Sequence, residues 1–226
     1  PRDGTYSLVT TTGANVPSYA DNGLAENTVY YYKVRAAAGG GLFSAYSNIA
    51  SGGTMAYGIY VNFTVTNIAD APWNNTAALP YEGLTWLNLR DDANTNTNIA
   101  MQIAQNFTGT NPAGLQTGNN SGVYPDKVLA ESYYTETDTA ILRMTRLDQT
   151  KRYSFTFLGN RGSGGTRITA YAIGDKVVTL DANDNTQNTV TINDVVPDSN
   201  GDVFVKVYTY LNYGYLNAMV IKAYPL

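Results

Sequence analysis

Two runs near the C-terminus, Val203-Phe204-Val205-Lys206-Val207-Tyr208 and Leu216-Asn217-Ala218-Met219-Val220-Ile221, are short and nearly continuous in apolar character. Runs of this length, rich in Val, Ile and aromatic residues, read as strands buried on both faces or lying at the core of a sandwich. The second run places the last strand in the middle of a sheet rather than in a frayed tail. Upstream, candidate strands recur over 58–66, 85–89, 98–107, 138–147, 152–158, 166–173, 176–180 and 187–192, with 203–210 and 215–223 completing the set. Most are bounded by Asn, Asp or Gly turns, and many short strands of this kind make a β-sandwich. One helical turn is expected after a proline, at Tyr124-Pro125-Asp126-Lys127-Val128-Leu129.

Composition agrees with an all-β protein. Among 226 residues there are 28 Thr, 24 Asn, 21 Gly and 19 Tyr, against 6 Phe. Thr and Tyr favour strands, while Asn and Gly favour turns. Only 14% of residues are charged, well under the roughly 25% of ordinary domains. The net charge of −4 argues against nucleic acid, whose phosphates need a dense basic footprint, and against a polybasic membrane anchor. No apolar stretch is long enough to span a membrane. With no His and no Cys, Ser-His-Asp and Cys-His catalysis, disulfides and His- or Cys-ligated metals are excluded.

A junction at Ser51-Gly52-Gly53-Thr54 separates two expected domains, 1–54 and 55–226. In the first, Thr28, Tyr30, Tyr32, Val34 and Ala36 alternate onto one strand face, and Gly39-Gly40-Gly41 then turns the chain toward Ser44-Ala45-Tyr46-Ser47-Asn48, which makes a hairpin. With Leu24 upstream, this resembles the end of a fibronectin type III domain. Asp3–Val9 and Ser18–Asp21 fit two preceding strands of that family. The resemblance implies that Tyr30 forms a tyrosine corner, its hydroxyl bonded to nearby backbone. It also implies that the first three strands of the sandwich are missing. Such a half-sandwich has an open core face and is expected to be supported by the next domain, paired with another copy, or the remnant of a longer chain. Pro1-Arg2-Asp3-Gly4 does not read as a secretion leader.

Residues 55–226 resemble a galactose-binding-domain-like jelly roll, the fold of many carbohydrate-binding modules. The resemblance is carried by Ile59-Tyr60-Val61-Asn62-Phe63, Ala71-Pro72-Trp73-Asn74-Asn75, Arg152–Phe157, Asn160-Arg161, Arg167–Tyr171 and Gly214–Ile221. It implies a secreted or cell-surface protein of several domains, in which this module and its neighbours in the parent chain meet a polysaccharide.

Sugars are bound by aromatic faces against C–H groups and by amides, carboxylates or guanidinium groups for the hydroxyls. Trp73 and Asn74, in a polar loop, are candidates on that basis, although Trp73 also suits a plug at the end of the sandwich. The long polar segment Thr108–Lys127 offers Asn120 and Tyr124. Arg161, in a Gly-rich hairpin end, suits a pair of hydroxyls or a uronate, and Tyr213 belongs to a tyrosine-rich group with Tyr208, Tyr210 and Tyr215. Asp92-Ala93-Asn94-Thr95-Asn96 and Asp181-Ala182-Asn183-Asp184-Asn185 mimic calcium loops without the rest of an EF-hand. They read better as turns, and a structural calcium stays open. Asp126, Glu131, Glu136 and Asp138 form the one dense acidic stretch from which a catalytic pair could come. The leading expectation is a non-catalytic carbohydrate-binding module. The alternatives are a structural or adhesive spacer, and a polysaccharide hydrolase or lyase.

Overall fold

The computed structural model describes residues 2–120, 124–162 and 164–225. It divides into two compact units, 2–56 with 224–225, and 57–223.

The first unit is built on one long hairpin. Its strands are β1 (Val29–Tyr32), β2 (Ala37–Ala38), β3 (Leu42–Phe43) and β4 (Ala50–Gly53). β1 pairs antiparallel with β4, Val29 opposite Gly53 and Tyr32 opposite Ala50, and β2 pairs with β3. The turn runs through Gly39–Gly41, where Gly40 and Gly41 both take φ 79°, a conformation that costs glycine little. Between the two ladders, serine hydroxyls stand in for carbonyls: Ser47 accepts the N–H of Val34 at 3.1 Å and Ser44 that of Ala36 at 2.9 Å. The expected hairpin is present, and its return arm reaches Gly53. The strands expected over 3–9 and 18–21 do not form. Among the described residues neither segment pairs with a neighbouring strand, and a strand needs one; Leu8, Val9 and Tyr19 are exposed. The Tyr30 hydroxyl accepts the N–H of Ala25 at 2.9 Å.

The second unit is a β-sandwich. Its elements are β5 (Tyr57–Asn62), β6 (Trp73–Asn75), β7 (Thr85–Trp86), β8 (Ala100–Gln105), β9 (Gly109–Asn111), α1 (Asp126–Leu129), β10 (Ser132–Thr135), β11 (Ala140–Thr145), β12 (Lys151–Leu158), β13 (Ile168–Ile173), β14 (Lys176–Asp181), β15 (Val190–Val195), β16 (Val203–Leu211), β17 (Gly214–Leu216) and β18 (Ala218–Pro225). One sheet runs β14-β13-β16-β11-β8-β7, the other β15-β12-β18-β5-β6, and a small third sheet runs β17-β10-β9. The two large sheets meet through alternate side chains. Leu142, Met144, Val205 and Val207 come from one; Ile59, Val61, Phe155 and Ile221 come from the other, each at 1% exposure or less. Phe157 and Tyr171 stack across the gap with centroids 4.5 Å apart.

β18 is central, between β12 and β5, and Ala218–Ile221 are buried on both faces. Its outer face is covered by a second apolar cluster of Tyr124, Val128, Leu129 and Leu158, against which Trp73 and Tyr60 pack. β16 departs from expectation. It buries Val203, Val205 and Val207 but exposes Phe204 and Lys206, because that outer face of its sheet is largely open to solvent, with Arg143 over the Phe204 ring. Its register is still fixed by the alternate valines.

The expected strand over 215–223 breaks at Asn217, where the chain leaves the small sheet for the large one. Asn217 is fully buried and joins four segments. Its N–H donates to Leu158 O and its carbonyl accepts the Phe63 N–H, both at 2.9 Å. Its Oδ1 accepts the Asn160 N–H at 2.6 Å, and its Nδ2 donates to Leu129 O at 3.1 Å and Glu131 O at 2.9 Å. A buried polar group that loses its partner costs about 1–3 kcal/mol. Asn217→Ala, which orphans the Asn160 N–H and the Glu131 carbonyl and leaves Leu129 O to Asn160 alone, is therefore expected to destabilise the second unit by about 2 kcal/mol or more. The check is a urea titration, and a loss under about 1 kcal/mol would mean that the joint is held by something else.

Candidate functional site

The chemistry-bearing surface is assembled around the same buried amides. Asn160, also fully buried, donates from Nδ2 to Leu115 O at 2.9 Å and Leu129 O at 3.0 Å, while its Oδ1 accepts the Leu115 N–H at 3.2 Å. These bonds fix the 113–116 segment against the end of α1. A Cβ at Gly114 would collide with the Leu129 carbonyl, so only glycine permits that approach. Arg161 follows Asn160 directly, and Tyr215 lies two residues before Asn217. The two amides thus set the positions of both.

On the outer face of the small sheet, Tyr134 of β10 stands between Tyr215 of β17 and Gly109 of β9. A Cβ at Gly109 would lie 3.1 Å from the Tyr134 ring, so the ring rests across bare backbone. Tyr213 completes a corner. Its centroid is 6.3 Å from both Tyr134 and Tyr215, with interplanar angles of 62° and 40°, and Tyr134 and Tyr215 are also 6.3 Å apart, at 32°. Tyr213 is exposed, Tyr134 half-buried and Tyr215 buried. Burial raises the pKa of the Tyr215 hydroxyl. The positive charges of Arg167 and Arg161 and a hydrogen bond with Arg161 work against that rise, and Tyr213 adds to it.

Arg161 borders this corner. Its backbone N–H donates to Ala182 O at 2.8 Å, and it forms a parallel β-bridge with Asn183. Its Nη1 donates to Ala113 O at 3.0 Å and Gly162 O at 2.7 Å. Of the six residues singled out from sequence, Arg161 and Tyr213 come together here. Tyr134 and Gly109 were missed. The Tyr133-Tyr134 pair carried the signal, since successive strand residues face opposite ways: Tyr133 is in the core and Tyr134 outside.

The other four lie elsewhere. Trp73 is half-buried, with Tyr60 at 5.5 Å and Tyr124 at 5.8 Å, and belongs to the second apolar cluster. Asn74 ties β6 to neighbouring backbone: Nδ2 donates to Tyr60 O and Arg90 O, and Oδ1 accepts the Arg90 N–H. Its amide is thus engaged with backbone at both ends. Asn120 Oδ1 accepts the Asp126 N–H at 3.0 Å and secures the first turn of α1. Tyr124 is buried, and that burial, with Tyr60 beside it, pushes its hydroxyl up to about 12. The sequence placed it in an open loop; the segment is instead folded over β18 because Tyr124, Val128 and Leu129 together bury an apolar patch.

The acidic stretch does not converge on a cleft. Asp126 Oδ1 accepts both the N–H and the hydroxyl of Thr117. Glu131 is buried at 4% exposure, its Oε2 receiving the Thr64 hydroxyl at 2.6 Å, the N–H groups of Val65 and Thr66 at 3.0 and 3.1 Å, and Asn67 Nδ2 at 3.2 Å. A seat made of donors suits an anion and no cation. The calcium-like stretches are turns. Asp181 Oδ1 accepts the N–H groups of Arg167 and Asn183, and Arg90 Nη1 donates to Asn94 O. Among the described residues no cluster of three or more acids could hold a metal, and no helix is long and apolar enough to cross a membrane.

No protein-family model matches the chain, and no curated protein matches it. Among solved structures it is similar to the ANXUR1 extracellular domain from Arabidopsis thaliana, at 10% identity and TM-score 0.43, covering 74% of this chain and 48% of that one. It is similar to the family GH115 4-O-methyl-α-glucuronidase BtGH115A, with specificity for decorated arabinogalactans, at 11% identity and TM-score 0.29, covering 70% and 19%. A third is TmCBM61 in complex with β-1,4-galactotriose, at 10% identity and TM-score 0.25, covering 57% and 86%. The chain spans about half the length of the first of these and about a fifth of the second.

The Glu131 seat has a pH signature. Burial would raise its pKa, but the bonds from Thr64, Thr66, Val65 and Asn67 overcome that and hold it below the ordinary value of 4.5. Its contribution to stability is therefore complete above that value and is lost as pH falls through the lowered one. Glu131→Gln is expected to be less stable than wild type at neutral pH and to lose less between about pH 5 and pH 3. Urea midpoints across that range decide it, and parallel curves for the two proteins would count against the seat.

Proposed function

We propose that this chain is a non-catalytic carbohydrate-binding module of a secreted or cell-surface protein of several domains, targeting that protein to a polysaccharide. The observation that carries the reading is the corner of Tyr134, Tyr213 and Tyr215 beside Arg161. It combines aromatic faces with a fixed polar group on an outer surface, which is what a sugar ring requires. Rigid elements hold it, since Tyr134 and Tyr215 sit on paired strands and Arg161 in a β-bridge.

In this reading residues 55–226 are a galactose-binding-like sandwich, and residues 1–54 are the C-terminal portion of a fibronectin type III domain. The bond from Ala25 N–H to the Tyr30 hydroxyl supports the second assignment, as does the hairpin. Val34, on the strand face expected to line a core, is 70% exposed.

A spacer without a sugar site is the second reading. What favours it is that Trp73 and Asn74 do structural work. The two readings part on mutation. In affinity electrophoresis through gels containing plant or algal polysaccharides, wild type is expected to be retarded by at least one polymer, with or without EDTA. Tyr213→Ala should remove the retardation and leave Tm within a few degrees. Trp73→Ala should lower stability by about 2 kcal/mol through lost packing and keep the retardation. Retardation lost in Trp73→Ala but kept in Tyr213→Ala would move the site, and none on any polymer would leave the spacer.

A further inference from the structure

We propose that the sugar held at the tyrosine corner carries a carboxylate, and that Arg161 supplies its counter-charge. This rests on the glycan-binding reading and narrows it to polymers containing uronic acid.

The guanidinium of Arg161 is half-buried, yet it forms no ion pair among the described residues. Its Nη1 is met by two neutral carbonyls, of Ala113 and Gly162, and its Nε is buried with no partner. Opposite it in the bridge, the Oδ1 of Asn183 is also buried without a partner. Taking a charge partly out of water is costly unless an opposite charge compensates it. Carbonyl oxygens satisfy hydrogen bonds and leave the charge in place. The nearby carboxylates are engaged in the turn: Asp181 accepts backbone N–H groups of Arg167 and Asn183, and Asp184 Oδ2 accepts Asn183 Nδ2. Glu136, two residues beyond Tyr134, is exposed.

The accessible surface limits the size of the ligand. Planes tilted by 62°, 40° and 32° around 6.3 Å separations form a corner and not a flat platform. Of the three rings only Tyr213 is exposed, with Tyr134 half-buried and Tyr215 buried, so the accessible face suits one sugar ring rather than the side of a packed polymer. In a uronic acid the carboxylate projects from the ring edge, so a ring whose face lies on tyrosine points it sideways toward the bordering arginine. Both hydrogens of Nη1 are on carbonyls and Nε is buried, so a carboxylate oxygen would meet the guanidinium at Nη2 as a single charge-assisted hydrogen bond.

The test uses the full chain and calorimetry with three probes: uronic-acid oligosaccharides (galacturonate, glucuronate and guluronate series), the same oligosaccharides after chemical reduction of their carboxyl groups, and sulfated galactan oligosaccharides. One uronate series is expected to bind, and its reduced form to bind at least about tenfold more weakly. Raising salt should weaken the uronate and leave the reduced form nearly unchanged. Arg161→Gln should lower uronate affinity by a similar factor, and Arg161→Lys by less, because the charge survives. Since Arg161 also pins Ala113, melting curves accompany both variants, while the wild-type comparison of native and reduced sugars does not depend on them. Equal binding of native and reduced sugars would overturn the carboxylate and leave glycan binding intact. Preference for the sulfated probe would overturn it in favour of another anion. No binding to any of the three, together with no retardation on neutral polymers, would remove the glycan reading itself.

Discussion

Two buried amides, Asn160 and Asn217, hold the second unit together at the point where its sheets and its helical turn meet. Between them they bond to backbone groups of Leu115 and Leu129, to Glu131, and to each other. Each bond replaces a partner that a regular ladder would have supplied. An amide suits the position because it offers two donors and an acceptor without charge, so no counter-ion has to be buried with it. With the amides in place, the 113–116 segment, the end of α1 and the step from β17 to β18 have fixed relative positions. Tyr215 and Arg161 then have no freedom to drift apart.

The same economy of charge runs through the unit. Asn62 and Asn75 bind each other and the backbone of Asn67 and Ala69, and Asn185 clasps the carbonyls of Gly159 and Asn188. Asparagine also occupies many of the left-handed positions, among them Asn88, Asn94, Asn98, Asn120 and Asn212, where its short side chain tolerates positive φ. The low charge content is therefore a structural property. Much of the polar side-chain work is internal, closing turns and loops.

Period-two alternation made the long strands legible, and the unbroken run of β18 gave away its central place. The same run hid the break at Asn217, because a single buried Asn among apolar residues does not interrupt the pattern. Strands β6, β9 and β10 escaped because three or four polar or mixed residues give no period. The candidate site was half legible. Tyr213 and Arg161 stood in turns, where exposed chemistry is easy to notice. Trp73 and Tyr124 looked alike in sequence, but they bury against β18, a contact between segments far apart in the chain. Tyr134 needed the face of β10 to be known, and its β9 neighbour Gly109 marks nothing until the sheet is assembled.

The step at Asn217 also separates two mechanical compartments. β18 is flanked on both sides by antiparallel or hydrogen-bonded partners, β5 and β12. Tension applied along it from its far end must shear both ladders together before the load travels further. What passes through them meets Asn217, whose five hydrogen bonds spread it into Phe63, Leu129, Glu131, Leu158 and Asn160. Tyr215 lies beyond that anchor. A tether pulling on this strand would be borne by the large sheet, and the tyrosine corner would keep its shape under load.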